Sequence, residues 1–323
     1  MYIDQLELRN IRTFGGRVGK PLTFTHPDCE YRSADAGADG RLPRPRLPNV
    51  TLLLGDNGSG KTTILRAIAA AAFGPAAKDL LREPGIVRQG ESVGEIQATF
   101  RLHDQDQAPN QRITSRIQMR RVGERLEVGN PPSAGQRPEA FGEASMSDAF
   151  GPDPVWRPVY ESENDAFFVV GYGATRRVEL LTTYDPGARA KARANRDQRV
   201  QSLFEDSFSL IPLASWLPRL KTSNRGRHAQ VTHLLNALLK PSHYVFSGEQ
   251  AKTGDYLFRR GELLIPFQSL SDGYRAFIGW VADLLHHVCF GCPSGRKLVE
   301  SRGIVLVDEI DLHLHPRWQM QVV

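Results

Sequence analysis

The chain has 323 residues, 40% of them hydrophobic and 24% charged, with Lys and Arg exceeding Asp and Glu by five. That composition excludes a disordered, collagen-like or wholly coiled-coil chain, and a chain this long buries roughly 75% of its unfolded surface on folding, enough for one large domain or two smaller ones. The mild positive excess is compatible with an acidic partner without demanding one, and three cysteines (Cys29, Cys289 and Cys292) exclude a disulfide scaffold.

The first ten residues carry charge by the fourth position and lack the apolar core of a secretory signal. No run approaches the ~18 apolar residues of a membrane span, so a soluble cytoplasmic protein without membrane attachment is expected. Residues 26–48, rich in Gly, Pro, Asp and Arg without periodicity, read as an inserted loop. Val50-Thr51-Leu52-Leu53-Leu54 reads as a buried parallel strand. Gly55-Asp56-Asn57-Gly58-Ser59-Gly60-Lys61-Thr62-Thr63 follows, and then Ile64, Leu65, Ile68, Ala69 and Ala72 repeat with a helical period. Alternation over residues 94–128 predicts an antiparallel β-layer, and residues 129–158, rich in proline, glycine and serine, a long loop. A short strand, Phe167–Val170, leads into Gly171-Tyr172-Gly173-Ala174-Thr175-Arg176-Arg177. From 186 onward the pattern is helical, with one apolar stripe at Val231, Leu234, Leu235, Leu238 and Leu239 ending before Pro241. Ser271 stands at the N-cap position of an amphipathic helix whose face is Phe277, Val281, Leu284, Leu285 and Val288. Ile304–Val307 is a second buried-strand run, closed by Asp308-Glu309.

The chemistry is concentrated at three places. The spacing G-x-x-x-x-G-K-T between a strand and a helix lets glycines curl the backbone until its N–H groups face phosphate oxygens, and the helix adds its own unpaired amides. Gly55, Asn57, Gly58, Ser59, Gly60, Lys61, Thr62 and Thr63 are therefore the candidate triphosphate-binding residues, with Lys61 on the β- and γ-phosphates and the Thr62 hydroxyl on Mg²⁺. Asp308, at the end of an apolar strand, is the candidate second residue of the metal shell, and Glu309 the candidate base for an attacking water. The run Leu270-Ser271-Asp272-Gly273-Tyr274-Arg275 reads on its own as a capped helix start.

Together these anchors resemble an ABC-type ATPase head. Ser271 lies more than two hundred residues beyond Lys61, about twice the separation in a transporter ATPase, so the resemblance is to the branch containing RecF, the chromosome-maintenance (SMC) proteins and the OLD-like defence nucleases. Ile3–Phe14 is similar to that branch's first strand and its N-F-R-x-F turn, and Asp308–Pro316 resembles its DE-x-x-x-HLHP extension. The resemblance covers about residues 1–100 and 263–323.

It implies an α/β P-loop NTPase fold with a mixed sheet, an antiparallel β flank and a helical insertion. The implied organisation is an N-terminal lobe (1–177), an insertion (178–262) and an incomplete C-terminal lobe (263–323). It implies ATP and Mg²⁺ as ligands and a homodimer sandwiching ATP, with Ser271 and Gly273 of one copy closing on the γ-phosphate held by the other. It implies an output in nucleic-acid repair or anti-phage defence alongside a nuclease or other effector. Two departures stand out. The segment 171–177, where a metal-ligating Gln is sought, contains none, and Gln97 reads as a structural residue on an alternating strand. The chain ends 14 residues after Glu309, before the position of a switch histidine, and His313 and His315 come too early to supply one. A truncated head is expected on that reading, and an ATP-binding regulatory module with little turnover is the alternative. The absence of an N-K-x-D tetrapeptide disfavours a GTPase.

Two further features have bland and functional readings that stay open. Arg189, Arg193 and Arg196 share one face of a helix and fit either nucleic-acid phosphates or a solvated surface near Asp185 and Asp197. Cys289 and Cys292 form a single C-x-x-C, where a zinc site needs two more ligands.

Overall fold

The computed structural model describes residues 1–16, 21–24, 49–102 apart from 75–76 and 78–79, 112–129, 169–178, 196–292 and 295–312. The chain forms two compact units, Met1–Val159 and Tyr160–Val323.

The first unit is built on a five-stranded antiparallel sheet of order β2-β1-β3-β4-β5. Its strands are β1 (Tyr2–Arg9), β2 (Leu22–Thr23), β3 (Val93–Arg101), β4 (Arg112–Val122) and β5 (Arg125–Gly129). The expected layer over 94–128 is thus present. Strict alternation decides its two faces. Gly94, Ile96, Ala98 and Phe100 of β3 are buried, and they pair with Met119, Ile117, Ser115 and Ile113 of β4. Each such cross-strand pair contributes roughly 0.2–1 kcal/mol beyond alanine. Helix α1 (Lys61–Phe73) packs on this face. Its run from Ala69 to Ala72 is fully buried, because side chains this short let the helix axis lie close to the sheet.

The run Val50–Leu54 departs from expectation. These residues belong to no strand, and Val50, Leu52 and Leu54 are 47%, 43% and 88% exposed. Hydropathy states what a segment gains by burial, about 1.5–3 kcal/mol for each large side chain. It does not supply the neighbouring strand, and among the described residues none pairs with this run.

The second unit carries a parallel pair, β6 (Val169–Tyr172) with β12 (Ile304–Val307). A second short parallel pair joins β7 (Arg177–Val178) to β8 (Ser209–Leu210). Helices α2 (Leu213–Ser223) and α3 (Arg225–Leu239) precede an antiparallel sheet of β9 (Val245–Gln250), β10 (Tyr256–Arg260) and β11 (Leu263–Pro266). The middle of the chain therefore holds strands as well as helices. Helix α4 (Asp272–Gly291) runs between β11 and β12. Of its expected face, Phe277, Val281 and Leu285 are buried, one turn apart, while Leu284 and Val288 pack at the margin. Val231, Leu235 and Leu239 of α3 are buried in the same core, whereas Leu238 is exposed. Aromatic contacts tie the elements together: Phe246 to Phe258 at 5.5 Å and Trp216 to His286 at 5.4 Å between ring centroids.

Candidate functional site

The glycine loop of the first unit has the local shape its spacing predicts. Gly58 (φ 83°) and Gly60 (φ 99°) both lie in the left-handed region, where a side chain is strained. Ser59 N–H donates to the Asp56 carbonyl at 3.1 Å, closing a turn around Asn57 and Gly58. Gly60 then caps α1, and Ile64 N–H returns to its carbonyl at 2.9 Å. A Cβ on Gly55 would lie 2.7 Å from Ser59 Oγ, so a side chain there would force the serine hydroxyl to turn away.

Lys61 folds back over this loop. Its Nζ donates to the carbonyls of Gly55 at 2.6 Å and Asp56 at 2.9 Å. The first turn of α1 contains no acidic residue to neutralise the positive helix end. Thr62 is half-buried and Thr63 is 6% exposed. A lysine over a glycine turn at a helix start is a donor set suited to a polyphosphate.

The turn after β1 backs this loop. A Cβ on Gly60 would fall 2.8 Å from both Phe14 Cε2 and Thr13 Oγ1, so these side chains press against the helix start. The turn is itself fixed: Arg12 N–H donates to Ile86 O at 2.9 Å, Arg88 N–H to Asn10 O at 2.9 Å, and Asn10 Nδ2 to Val93 O at 3.1 Å.

The acidic turn belongs to the second unit. Asp308, 7% exposed, extends the β6–β12 ladder by donating its N–H to Tyr172 O at 2.8 Å. Glu309 is exposed and has φ 45°, a left-handed torsion that costs a non-glycine residue roughly 1–2 kcal/mol. The Arg176 guanidinium, 4% exposed, reaches this turn: Nη2 donates to Asp308 O at 2.7 Å and to Glu309 O, and Nε donates to Gly173 O at 3.0 Å. Burial lowers the Arg176 pKa, and the neighbouring Asp308, Glu309 and Asp311 carboxylates oppose that shift. The Thr62 hydroxyl in the first unit and the Asp308 carboxylate in the second are each a hard oxygen donor of the kind Mg²⁺ accepts.

Ser271 stands at the N-cap of α4, as its position in the sequence predicts, yet its side chain makes no cap hydrogen bond and is exposed. Gly273 lies in the first turn, beside the ion pair of Asp272 with Arg275. Further along α4, Asp283 is buried among partners. It accepts from Tyr172 OH at 2.9 Å and Ile211 N–H at 2.9 Å, and pairs with His287 Nε2 at 3.3 Å. Burial alone raises its pKa, but the His287 charge and hydrogen bond, the Ile211 N–H and the His286 charge together hold it below the usual carboxylate value. Tyr172 is pushed well above its ordinary value by burial and by the same carboxylate.

The expected residues thus fall in two groups. Gly55, Asn57, Gly58, Ser59, Gly60, Lys61, Thr62 and Thr63 share one loop–helix junction in the first unit, while Ser271, Gly273, Asp308 and Glu309 lie in the second. Gln97 sits in the β1–β3–β4 ladder opposite Glu7 and Arg116. Arg189 and Arg193, the loops at 26–48 and 130–158, and His313 and His315 lie outside the described residues. Arg196 begins a short 3₁₀ turn, Arg196–Arg199. Burial pushes the Cys289 thiol up to about 12, so it stays protonated at neutral pH. Among the described residues no cluster of three or more His, Cys, Asp or Glu could hold a metal ion, and no helix is long and apolar enough to cross a membrane.

Three features escaped the sequence reading: the Arg176 contacts, the Tyr172–Asp283–His287 cluster and the Phe14 buttress. The segment 171–177 contains no glutamine, and nothing in the sequence sets Arg176 apart from its neighbour Arg177. The two glycines before it, 171 and 173, were the available clue to a tight turn.

Residues 50–323 match the protein family described as "AAA domain, putative AbiEii toxin, Type IV TA system". The Septu protein PtuA of Bacillus mycoides (strain KBAB4) is 24% identical over 280 residues, which are 84% of this chain and 31% of that protein. The "Retron Vc95 probable ATPase" of Vibrio cholerae serotype O1 biovar El Tor is 44% identical over 59 residues, 18% of this chain and 12% of that one. The DNA replication and repair protein RecF of Stenotrophomonas maltophilia (strain R551-3) is 47% identical over 49 residues, 15% of this chain and 13% of RecF. The matched part spans less than a third of the length of each of these relatives.

Proposed function

The chain belongs to this AAA-domain family, as a P-loop NTPase of the ABC-type branch that includes RecF, and from that premise we propose that it binds and hydrolyses ATP in a dimer of heads. The observation that carries the reading is Lys61, whose ammonium spans the Gly55 and Asp56 carbonyls over a turn with left-handed Gly58 and Gly60 at a helix start. A triphosphate would replace those two carbonyls as the partner of the ammonium, and Asn57, Ser59, Thr62 and Thr63 would complete the cradle.

Thr62 and Asp308 would hold Mg²⁺, which when bound supplies charge neutralisation at the phosphates. Glu309 would take a proton from the attacking water. Ser271 and Gly273 of a second copy would close over the γ-phosphate, and the Ser271 hydroxyl, not engaged in capping its own helix, supports that assignment.

Losing a general base lowers turnover by roughly 10²–10⁴-fold, about 3–5 kcal/mol in barrier, without weakening ground-state binding. Glu309→Gln should therefore slow single-turnover hydrolysis by that factor, keep ATP affinity, and accumulate an ATP-bound dimer by light scattering. Unchanged hydrolysis in Glu309→Gln would remove Glu309 from the role. ATP binding without hydrolysis in the wild type would favour the non-cycling regulatory module.

For the output, the proposal is nucleic-acid repair or anti-phage defence with an effector partner. It is supported by likeness to a DNA replication and repair protein, to a retron ATPase and to a family described by a toxin–antitoxin system. Arg189, Arg193 and Arg196 are the proposed phosphate contacts, made to the backbone without base readout.

A further inference from the structure

The turn after β6 has no task in that reading, yet it is tightly fixed. Gly173 presses on the segment 200–203: a Cβ there would lie 2.1 Å from Ser202 O, and one on Gly171 would lie 2.3 Å from Leu203 Cδ1. Gly173 N–H donates to Ser202 Oγ at 3.3 Å, and Thr175 Oγ1 to Asp206 Oδ1 at 3.4 Å. The Gly173 carbonyl is thereby held as an anchor for Arg176 Nε at 3.0 Å. From that anchor the fork of the guanidinium extends to the carbonyls of Asp308 and Glu309.

We propose that Arg176 is a positioning residue for ATP hydrolysis, its guanidinium locking the main chain of the Asp308–Glu309 turn. The inference rests on the function proposed above. Both Arg176 (φ 38°) and Glu309 (φ 45°) hold left-handed torsions, which persist in non-glycine residues only where the surroundings impose them. Arg176 is what imposes the torsion on Glu309, since it grips the carbonyls on both sides of that residue's N–H. The Asp308 N–H, bonded to Tyr172 O at 2.8 Å, zips the same two turns from the other side.

This also defines what replaces a glutamine in the segment. A guanidinium has donors and no acceptor, so Arg176 cannot ligate a metal; it aligns the residues that would. Lysine keeps the charge but not the planar fork, and reaches fewer carbonyls. Glutamine is shorter and uncharged.

The test uses the full chain as wild type, Arg176→Lys and Arg176→Gln, with two readouts. The first, without nucleotide, is amide hydrogen exchange at Asp308 and Leu312, whose N–H groups are bonded to Tyr172 O and Glu309 O. The second is steady-state ATP hydrolysis. Exchange at these two amides should rise at least tenfold in both variants, with α3 and β10 unchanged. The kcat should fall 10- to 100-fold while KM moves less than threefold, Arg176→Lys retaining more activity than Arg176→Gln. Equal exchange in wild type and variants, or acceleration spread evenly over the second unit, would overturn the lock. Localised acceleration with unchanged kcat would overturn the positioning role. If the wild type does not hydrolyse ATP, the proposed function fails, and the exchange measurement alone decides whether Arg176 fixes the turn.

Discussion

The Tyr172 hydroxyl donates to Asp283 at 2.9 Å, while the carbonyl of the same tyrosine accepts the Asp308 N–H at 2.8 Å. One residue of β6 is therefore bonded both to the helix that begins at the Ser271 cap and to the turn that carries Glu309. The burial of Asp283 makes this joint expensive to break. Removing one partner of a buried charged network costs about 3–5 kcal/mol. Asp283→Asn should accordingly lower Tm by on the order of 10 °C, at ~2–4 °C per kcal/mol for a unit of this size.

The pH dependence of that difference has a definite sign. Because the folded carboxyl of Asp283 is held below its unfolded value, the folded state binds fewer protons. Its contribution is complete above the unfolded carboxylate value of ~3.9 and disappears as pH falls through the lower folded value. Thermal melts of wild type and Asp283→Asn between pH 3 and 5, where the partner histidines keep their protons, should show a gap that narrows below about pH 4. A gap that is the same at every pH would contradict the assignment.

Gly58 and Gly60 offer a graded test of the loop. Both have positive φ, but a Cβ on Gly58 meets nothing within 4 Å, whereas one on Gly60 meets Phe14 and Thr13 at 2.8 Å. Gly58→Ala should cost only torsional strain, roughly 1–2 kcal/mol. Gly60→Ala should cost more and weaken ATP binding more, and Phe14→Ala should restore part of the loss. Equal effects at the two positions would show that the buttress does not bear on the loop.

If Arg189, Arg193 and Arg196 contact nucleic-acid phosphates, affinity will fall with salt at a slope of about −0.9 per phosphate on duplex DNA. Replacing Arg189, Arg193 and Arg196 together by alanine should flatten that slope by about 2–3, measured by fluorescence anisotropy from 50 to 200 mM salt. An unaltered slope would return the patch to plain surface.

The glycine turn was legible in the sequence because its geometry is local: glycines 58 and 60 carry the positive φ, and Lys61 follows within six residues of the carbonyls it grips. The alternation of Ile96, Ala98 and Phe100 gave away the sheet for the same reason, since period two fixes which face is buried. Arg176 was opaque because its partners are 132 and 133 residues away, and Asp283 because Tyr172 lies 111 residues from it in a strand that reads as simply apolar. Val50–Leu54 marks the opposite failure, an apolar signal for which the described residues supply no ladder.

The central claim is that the Lys61 loop holds a triphosphate, and calorimetric titration of ATP–Mg²⁺ into wild type and Lys61→Ala tests it most directly. Wild type should bind, and Lys61→Ala should bind at least tenfold more weakly, about 1.4 kcal/mol or more, with Tm unchanged in the absence of nucleotide. Identical affinities in the two proteins would contradict the account.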